Sequence, residues 1–379
     1  MGHAYKVGIL GAGPSGCASA YFLKDFCDVT LFDFRSPLTT LLPTGGGRCN
    51  FAHAEFDFKE LAKNYPRGEK FLYSIFSKFS TSDTLSMFEQ IGIDYYIQDD
   101  MRIFPKSNSS EDVRGKFLAK LNNVCIKKER GLRIEPQENS RIKLITDMGA
   151  YTFDALIISI GGHSDISIVT RLGVKVEPQI PALTGFKTKQ DFSSLAGITL
   201  QNVALEGLAG DILFTHKGIS GPLIYKYSSL NINKKYPYEI FVDLYPKEIP
   251  LQDLLNSNPH KQIDNLLSDF LPRRLVDYLL PNPTAKCHTI NGKERDKILN
   301  TIHNFPINIL STVKDGEVVM SGGVNLKDIN TKTLESKKIK NLYFTGEVLD
   351  IDGFCGGFNL QNCWSTAYVV SEAIKQTSN

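Results

Sequence analysis

KVGILGAGPSG, residues 6–16, is a short apolar run that passes through a glycine-rich turn into a helix pattern. Its glycines match the GxGxxG spacing of dinucleotide-binding folds. In that motif Gly11 allows the tight turn, Gly13 lets the backbone approach a pyrophosphate, and Gly16 permits close helix–sheet packing. The helix that follows offers free N–H groups and a positive dipole end to the phosphates. The stretch therefore predicts a strand–turn–helix unit that binds a dinucleotide.

A second strand follows this helix and ends at an acidic residue. Val29–Phe32 is apolar, and Asp33 comes about 20 residues after the first glycine. A carboxylate at that place accepts hydrogen bonds from both ribose hydroxyls of an adenosine. GxGxxG alone is a weak signal because glycine turns are common, but the strand before it and the acid after it supply the expected context. A buried β run before a helix indicates a parallel sheet covered on both faces.

The segment Thr44–Asn50, TGGGRCN, contains three consecutive glycines and is named here the triple-glycine loop. Glycine loses more conformational freedom on folding than any other residue, so a mere surface turn seldom uses three. Backbone pressed against a flat ring or a phosphate does need them. Arg48 is suited to neutralise a pyrophosphate or to hold an anionic substrate near a flavin. The alternative interpretation is a mobile loop.

The C-terminal part has the pattern of strand, glycine turn and helix again. Leu342–Phe344 is a short apolar strand, Gly346–Gln361 has the sequence GEVLDIDGFCGGFNLQ, and a helix is predicted over about 361–375. Free N–H groups at that helix start are suited to face a flavin pyrimidine, where negative charge builds up on reduction. Asp350 is suited to bind a ribityl hydroxyl. A capping turn is the alternative interpretation.

The C-terminal strand needs partners from the N-terminal part of the chain. A region of this size cannot bury a strand on its own. The incomplete parallel sheet in the sequence comprises 6–33 and Asp154–Ile160, the latter closed by Gly161 and Gly162. We therefore predict that the two ends of the chain form one domain.

The middle of the chain differs in character. Residues 181–245 hold short strands with frequent glycine and proline, a β pattern returns within 306–324, and 246–305 hold amphipathic helices interrupted by prolines. These patterns predict a β-barrel-like domain in two parts, with a small helical domain between them. The remaining 1–180 and 325–379 form the N-terminal and C-terminal parts of the dinucleotide-binding domain.

Five motifs together resemble a known family. They are TGGGRCN, GDILFTHKGISGP (Gly210–Pro222), VMSGGV (Val319–Val324), TLESKKIKNLYFTGEVLDIDG and GGFNLQ, in that order over nearly the whole chain. This combination resembles the BaiN-like family of NAD(P)/FAD-dependent oxidoreductases, some of which are described as aminoacetone-oxidase-like flavoproteins. The resemblance implies an α/β fold: a discontinuous GxGxxG-type FAD-binding domain with an inserted β-barrel-like domain and a small helical domain.

We expect FAD to bind without a covalent bond, since no flavin-attachment motif is recognisable, and Asp33 favours FAD over FMN because it indicates an adenosine half. NAD(P)H is expected at most as a transient electron donor, because only one GxGxxG has a proper strand–helix setting. The cofactor site is predicted to comprise Gly11, Gly13, Pro14, Ser15, Gly16, Asp33, Phe34, Gly46, Gly47, Arg48, Cys49, Asn50, Leu132, Ser159, Gly161, Gly162, Gly346, Glu347, Asp350, Gly357, Phe358, Asn359 and Leu360.

Catalytic residues are poorly marked in the sequence. The candidates are Arg48 and His216, and a structural role explains His216 equally well. Packing explains Cys49 and Cys355 better than redox catalysis does. The predicted reaction is hydride exchange between flavin N5 and a small organic substrate; the alternatives are an amine-type flavin oxidase that uses O₂ and a regulatory or structural flavin-binding protein. A hydrolase is not indicated, because Ser220 misses the GxSxG nucleophile pattern.

Composition is that of an ordinary globular protein. Lys+Arg 43 against Asp+Glu 41 gives a net charge of +2, which supplies no broad electrostatic reason to bind nucleic acid or an anionic membrane. No apolar run approaches the ~20 residues of a membrane span, and no signal-peptide pattern is present, so a cytoplasmic protein is predicted. The seven cysteines form no CxxC pair, and no metal site is expected. No signal for an oligomeric state is present.

Overall fold

The computed structural model describes residues 5–313 and 319–378, which divide into two compact units. The first unit comprises 5–180 and 319–378, and the second comprises 181–313. Each unit has its own core of buried apolar side chains. None of the helices in the described ranges combines the length and the apolar character that a membrane span needs.

Strands and helices are numbered along the chain. Within the described residues the strands are β1 (Lys6–Leu10), β2 (Asp28–Phe32), β3 (Ala52–His53), β4 (Tyr95–Ile97), β5 (Arg102–Pro105), β6 (Cys125–Lys127), β7 (Gly131–Pro136), β8 (Ile142–Thr146), β9 (Ala150–Phe153), β10 (Ala155–Ile158), β11 (Val176–Pro181), β12 (Phe186–Thr188), β13 (Thr199–Leu205), β14 (Leu208–Thr215), β15 (Gly218–Ser220), β16 (Tyr238–Asp243), β17 (Phe305–Thr312), β18 (Met320–Val324) and β19 (Leu342–Phe344). The helices are α1 (Pro14–Leu23), α2 (Phe58–Ala62), α3 (Glu69–Phe76), α4 (Thr81–Ile91), α5 (Ser110–Ala119), α6 (Ser167–Thr170), α7 (Pro222–Leu230), α8 (Leu251–Ser257), α9 (Ile263–Leu267), α10 (Arg273–Leu279), α11 (Gly292–His303) and α12 (Phe358–Ser378).

A five-stranded parallel sheet with the order β19-β10-β1-β2-β6 lies at the centre of the first unit. β1 lies between β2 and β10, and Val7 is opposite both Val29 and Ala155. Val7 and Ile9 are fully buried, as expected for a strand in a parallel sheet that is covered on both faces. The sheet places the glycine turn after β1 at the carboxyl ends of its neighbours, which is where such folds bind ligands.

The C-terminal strand completes this sheet, which confirms the prediction from its short apolar sequence. Residues 342–344 pair in parallel with 156–158 of β10. α12 begins at Phe358, about three residues earlier than predicted, and packs inside the unit. The indole N–H of Trp364 on this helix donates to the carbonyl oxygen of Phe51 at 3.0 Å. The two ends of the chain thus form one α/β domain.

The second unit contains a closed antiparallel barrel with the strand order β12-β15-β14-β13-β16-β17. Ile240 and Val242 of β16 are fully buried, while Phe241 between them is 51% exposed. This alternation is expected of barrel strands, whose side chains point inwards and outwards in turn. The helices α8–α11 lie between β16 and β17 in the sequence. The predicted inserted barrel with a helical part is confirmed.

One predicted boundary differs from the structure. The sequence analysis assigned 306–324 to the barrel, but β18 pairs with β11 and belongs to the first unit. A Cβ on Gly322 of β18 would lie 2.0 Å from the carbonyl oxygen of Pro178 on β11, so these two strands approach too closely for any larger residue. Gly322 of VMSGGV therefore serves this pairing, whereas a Cβ on Gly323 would lie 2.4 Å from the carbonyl oxygen of Val348. The return to the first unit occurs by Val319 rather than at residue 325.

Candidate functional site

The glycine turn after β1 is shaped by backbone contacts that exclude side chains. Gly11 has a φ of +106°, and a Cβ on it would lie 2.3 Å from the carbonyl oxygen of Ser159. A Cβ on Gly16 would lie 1.9 Å from the carbonyl oxygen of Gly11. At Gly13 the nearest such atom is the hydroxyl oxygen of Thr40, 3.6 Å away. The turn is therefore closed by protein at its first and third glycines and has room at the second, where α1 begins.

Asp33 at the end of β2 fixes this turn. One carboxylate oxygen accepts the N–H of Ala12 at 2.8 Å, and the other accepts the N–H of Arg35 at 2.9 Å. The hydroxyl of Ser159 donates to the carbonyl oxygen of Gly11 at 2.8 Å and supports the turn from the other side. An ionised carboxylate has about four acceptor positions, so Asp33 keeps capacity for ribose hydroxyls while it holds the turn.

A cavity of about 240 Å³ opens beside Asp33. Four residues predicted from the sequence, Gly11, Asp33, Phe34 and Leu132, line it together. The sequence analysis missed Arg130, whose guanidinium lies 4.2 Å from the centre of the Phe34 ring. The lining combines aromatic and aliphatic side chains with charged groups, the carboxylates of Asp33, Glu129 and Asp165 and the guanidinium groups of Arg35, Arg130 and Arg171. Apolar walls with polar groups at the edge are suited to a purine and its ribose.

We expect Asp33→Ala to weaken FAD binding more than Asp33→Asn. The alanine variant loses both backbone contacts and the ribose bonds, and hydrogen bonds to a charged group contribute roughly 1.5–3 kcal/mol each. The dissociation constant of FAD should rise roughly a hundredfold or more for the alanine variant. Fluorescence titration of the cofactor-free protein measures this. If both variants retain FAD like the parent, Asp33 is not the ribose ligand.

The triple-glycine loop has a left-handed backbone at all three glycines, with φ of +59° for Gly45, +68° for Gly46 and +84° for Gly47. A Cβ on Gly45 would lie 2.8 Å from the ring of Phe104. Gly46 and Gly47 are exposed, and their Cβ positions have no protein atom within 4 Å. The N–H of Ser110 donates to the carbonyl oxygen of Gly47 at 2.9 Å and ties the loop to α5. The loop is thus anchored on one side and open on the other.

The next three residues of the loop have different roles. The guanidinium of Arg48 lies 4.2 Å from the centre of the Phe104 ring, and Arg48 forms no ion pair within 5–313 and 319–378. Cys49 is fully buried, and burial raises the pKa of its thiol to about 12. The side-chain amide of Asn50 donates to backbone carbonyls of β3 and β5. Cys49 and Asn50 therefore shape the loop, while Arg48 donates from Nε to the carbonyl oxygen of Gly45 at 3.2 Å and has no carboxylate partner in the described residues.

The glycine pair before α12 packs against β3. A Cβ on Gly357, whose φ is +95°, would lie 2.3 Å from the carbonyl oxygen of Ala52. The Nδ1 atom of His53 lies 3.1 Å from the carbonyl oxygen of Gly356, and its ring centre is 4.5 Å from that of Phe358. Burial lowers the pKa of His53, so the neutral ring donates from Nδ1. His53, which the sequence analysis missed, orients the start of α12.

The predicted residues at the start of α12 shape this turn as well. The amide of Asn359 accepts the N–H of Gly353 and donates to its carbonyl oxygen, both at 2.8 Å. Phe358 is buried, and its carbonyl oxygen accepts the hydroxyl of Tyr65. Leu360 is partly buried beside them. These contacts fix the start of a 21-residue helix against β3, the strand that follows the triple-glycine loop.

Gly346 brings the segment after β19 against α1. A Cβ on Gly346 would lie 2.5 Å from the hydroxyl oxygen of Ser15, so only glycine fits there. A Cβ on Gly162 would lie 3.1 Å from Cβ of Met320 and 3.6 Å from the carbonyl oxygen of Glu347. The predicted residues after β10 and after β19 therefore meet beside the start of α1.

Three carboxyl groups follow Gly346. Asp352 is fully buried and pairs with the guanidinium of Arg67 through both of its oxygens. Burial, together with the charge of Asp352, raises the pKa of Glu347 to about 7. The same two causes raise the pKa of Asp350. Glu347 therefore keeps its proton to a higher pH than an ordinary glutamate does, and its neutral carboxyl has both a donor and an acceptor.

The raised pKa of Glu347 predicts a pH-dependent stability of the cofactor-free protein. Its folded pKa lies above the ordinary 4.5, so the stability contributed by the neutral form is complete below pH 4.5 and is lost as the pH rises to about 7. In Glu347→Gln the free energy of unfolding should fall by roughly 1–3 kcal/mol less than in the parent as the pH rises. This range allows for the partial exposure of the side chain. Urea unfolding at pH 5 and pH 8 measures it. A parent-like pH dependence in Glu347→Gln, or an equal change in the exposed control Glu60→Gln, would contradict this assignment.

Every predicted cofactor residue lies in the first unit, whereas His216 lies in the second. His216 is exposed in the turn between β14 and β15. Cys355 is exposed beside the glycine pair before α12. Across the part of the chain that the structure describes, no group of three or more His, Cys, Asp or Glu side chains is placed to hold a metal ion.

The chain is similar to two named proteins over nearly its whole length. It is 29% identical over 405 residues to the ribosomal RNA dihydrouridine synthase of Haemophilus influenzae, with 97% of this chain and 98% of the relative covered. It is 24% identical over 406 residues to the 3-dehydro-bile acid delta(4,6)-reductase of Clostridium scindens, again covering 97% and 98%. These two relatives therefore extend over nearly the same length as this chain.

A solved structure of a mutant of Escherichia coli quinol fumarate reductase FrdA has a similar fold. It matches with a TM-score of 0.50 and 12% identity, covering 99% of this chain and 70% of that chain. The family model described as "HI0933-like protein Rossmann domain" matches residues 5–373. This confirms the resemblance that the motifs indicated: the protein belongs to the HI0933-like, BaiN-like family of Rossmann-type FAD-binding oxidoreductases.

Proposed function

We propose that the protein is an FAD-dependent reductase that adds hydrogen across a carbon–carbon double bond conjugated to a carbonyl group. The names of its two relatives support this one reaction class. Dihydrouridine is uridine with the ring double bond saturated, and that bond is conjugated to a ring carbonyl. A delta(4,6)-reductase of a 3-dehydro-bile acid is named for double bonds conjugated to the oxidised position 3. In the proposed step hydride from the reduced flavin joins the far carbon of the conjugated system, and a proton joins the carbon at which the resulting enolate is protonated.

The residues of the first unit are suited to hold FAD in three places. The cavity at Asp33 fits the adenosine, the room at Gly13 before α1 fits the pyrophosphate, and the open side of Gly46 and Gly47 fits the flat ring. FAD, when bound, supplies hydride at its N5 position. The N–H groups at the start of α12 stabilise negative charge nearby, because they are the positive end of a long helix.

Arg48 favours a substrate that carries an anionic group. Its guanidinium is held over Phe104 next to the open side of the triple-glycine loop, and it pairs with no carboxylate in the described residues. Arg102 lies 5.6 Å from the same ring and pairs with Asp100. A guanidinium without an acidic partner binds phosphate or carboxylate oxygens.

We propose a uridine within RNA as the first candidate substrate and a small conjugated ketone as the second. The phosphates beside a uridine match the free guanidinium, and the more similar relative is named for ribosomal RNA. The net charge of +2 provides no broad attraction for RNA, so binding would depend on local cations such as Arg48. The small ketone is favoured by the relative from Clostridium scindens.

The test uses FAD-loaded protein reduced without oxygen by NADH, NADPH or dithionite in parallel. Ribosomal RNA or a steroid with a 3-oxo-4,6-diene is then added, and the flavin absorption band is followed. We expect the band to return only with a substrate, and mass spectrometry to show a product that has gained two hydrogens. Arg48→Met should slow this step with RNA when rates are compared per bound FAD, whereas the exposed control Lys120→Met should not.

Two results would contradict the proposal. The first is rapid return of the flavin band with O₂ alone. If a primary amine also reduces the flavin and O₂ is then converted to hydrogen peroxide, the protein is an amine-type oxidase. A protein whose flavin none of the donors reduces would be a regulatory or structural flavin-binding protein. The same experiment identifies the electron donor, since NADH and NADPH are compared directly with dithionite.

A further inference from the structure

The segment between β18 and β19, residues 325–341, runs beside the edge of the main sheet. The N–H of Phe344 in β19 donates to the carbonyl oxygen of Leu334 at 3.2 Å, and the N–H of Ser336 donates to the carbonyl oxygen of Leu342 at 2.7 Å. The side chains of this segment include five exposed lysines: Lys327, Lys332, Lys337, Lys338 and Lys340. None of them belongs to the proposed FAD site, so the cofactor does not account for this group of cations.

Two exposed lysines from distant parts of the chain join this segment. Nζ of Lys78, which follows α3, donates to the carbonyl oxygen of Lys332 at 2.7 Å. The backbone N–H of Lys175, which precedes β11, donates to a carboxylate oxygen of Asp328 at 2.9 Å. These seven lysines together are named here the lysine surface. In the sequence they stand in short separate runs, and the fold brings them together.

The acidic groups of the lysine surface do not neutralise it. Asp328 pairs with Lys338 at 2.8 Å, and Glu177 pairs with Lys175 at 3.2 Å. The third carboxylate, Glu335, accepts a backbone N–H at the end of the segment at 2.7 Å. Against these three carboxylates the seven lysines leave a net charge of +4, although the whole chain carries only +2. Five lysines of the surface have no ion pair within residues 5–313 and 319–378: Lys78, Lys327, Lys332, Lys337 and Lys340.

Backbone carbonyl oxygens hold some of these ammonium groups in place. Nζ of Lys337 donates to the carbonyl oxygen of Lys327 at 2.9 Å, and Nζ of Lys78 is held by a carbonyl oxygen in the same way. A carbonyl group carries no net charge, so these contacts position the lysines without neutralising them. An ammonium group has three donors, and the others stay available for phosphate oxygens. The neighbouring Arg141 and Asp154 pair with each other at 3.0 Å and add no net charge.

We propose that the lysine surface binds the phosphate backbone of RNA. The inference rests on the proposed function, because RNA is the first candidate substrate there, but it concerns binding and not reduction. Each lysine that neutralises a phosphate releases condensed counterions, which supplies affinity without sequence preference. Such contacts position a nucleic acid and carry no base specificity. The surface thus concentrates, in one place, the positive charge that the whole chain lacks.

The exposed side chains of the segment favour RNA over an anionic membrane. Segments that lie on a membrane combine cations with apolar side chains that enter the lipid. None of the large apolar side chains that are exposed in the described ranges lies within 325–341. The lysine surface therefore has the chemistry of a phosphate-binding surface without an apolar anchor.

The experiment measures the anisotropy of a fluorescent RNA hairpin on addition of the full-length FAD-loaded protein, at several salt concentrations. Vesicles of phosphatidylcholine and phosphatidylserine are tested in parallel by sedimentation. The surface variant combines Lys327→Gln, Lys332→Gln, Lys337→Gln and Lys340→Gln. It should bind RNA roughly tenfold or more weakly, and the slope of log K against log salt should become shallower by about 3, since each phosphate contact contributes about 0.7–0.9 to the slope.

The matched control removes the same number of charges elsewhere. It combines four exposed lysines outside the lysine surface: Lys59→Gln, Lys120→Gln, Lys235→Gln and Lys293→Gln. Both variants then have the same net charge, and the control should bind RNA like the parent. The flavin spectrum shows whether each variant has retained its fold. RNA that binds through this surface but is not reduced by the flavin would contradict the proposed function and leave this inference intact.

Three results would overturn the inference. The first is absence of saturable RNA binding by the parent, including the case in which only the vesicles are bound. The second is parent-like RNA binding by the surface variant, which would leave the lysines the role of protecting the sheet edge. The third is an equal loss of RNA binding in the surface variant and the control, which would assign binding to net charge alone.

Discussion

A chain that ends at Asn325 should be colourless and prone to aggregation. The truncation removes β19 and α12, and with them fully buried side chains that include Leu342, Phe344, Trp364, Val370 and Ile374. Each such side chain contributes roughly 1.5–3 kcal/mol when buried, so the loss is on the order of 10 kcal/mol. Whole domains are stable by only about 5–15 kcal/mol. The open edge of β10 would then be free to pair with other chains.

The same truncation removes the start of α12, where we place the flavin ring. Absorbance at the flavin band, measured on the soluble fraction, reports the result. The control is a chain that ends at Lys375 and lacks only the end of α12; it should remain yellow. Addition of a separate 326–379 fragment should restore part of the flavin binding. A soluble, flavin-replete chain ending at Asn325 would mean that α12 is an external helix and that the site is wrong.

The second large effect is expected for Gly47→Val, which should abolish flavin incorporation. No protein atom lies within 4 Å of a Cβ at this position, so the protein itself leaves room for the side chain. The φ of +84° makes a β-branched residue strained by about 1–3 kcal/mol. If the flavin ring lies on the open side of the loop, the valine side chain also clashes with the ring. Flavin content per chain after purification measures this.

Gly92 provides a matched control for the strain alone. It lies just beyond α4 with a φ of +94°, and it also has no protein atom within 4 Å of its Cβ position. Gly92→Val should therefore lose similar stability but keep its FAD. The barrel of the second unit should stay folded in both variants. Equal flavin content in Gly47→Val and Gly92→Val would remove the triple-glycine loop from the site.

Local sequence patterns were sufficient to predict the main sheet. GxGxxG between a strand and a helix indicates the turn at Gly11, and Asp33 at the end of the second strand bonds to this turn through the N–H of Ala12; its role as the ribose ligand stays a prediction. The strand Leu342–Phe344 is predicted to pair with the N-terminal sheet because the C-terminal region is too small to bury a strand on its own. In the structure this strand pairs with β10. The glycine turn was predictable because it depends on a few consecutive residues, and the strand pairing was predictable because a short apolar strand needs a partner.

Features that depend on distant contacts were not predictable in this way. VMSGGV is typical of a barrel strand, and only its close approach to Pro178 reveals the pairing with β11. His53 contacts the carbonyl oxygen of Gly356, and Arg130 contacts the ring of Phe34. Both partners are distant in the sequence. The sequence contains one signal of such a contact: the glycine pair before α12 indicates that another segment of the chain packs closely against this turn.

The identity and amount of nucleotide released from the purified protein test the central claim, that both ends of the chain bind one FAD. Acid precipitation should leave a white pellet and release FAD, identified by chromatography, at one molecule per chain. Asp33 and its cavity are suited to an adenosine half, and the sequence contains no recognisable flavin-attachment motif. Released FMN, a flavin that stays with the pellet, or a protein that takes up no flavin even when FAD is added would contradict the account.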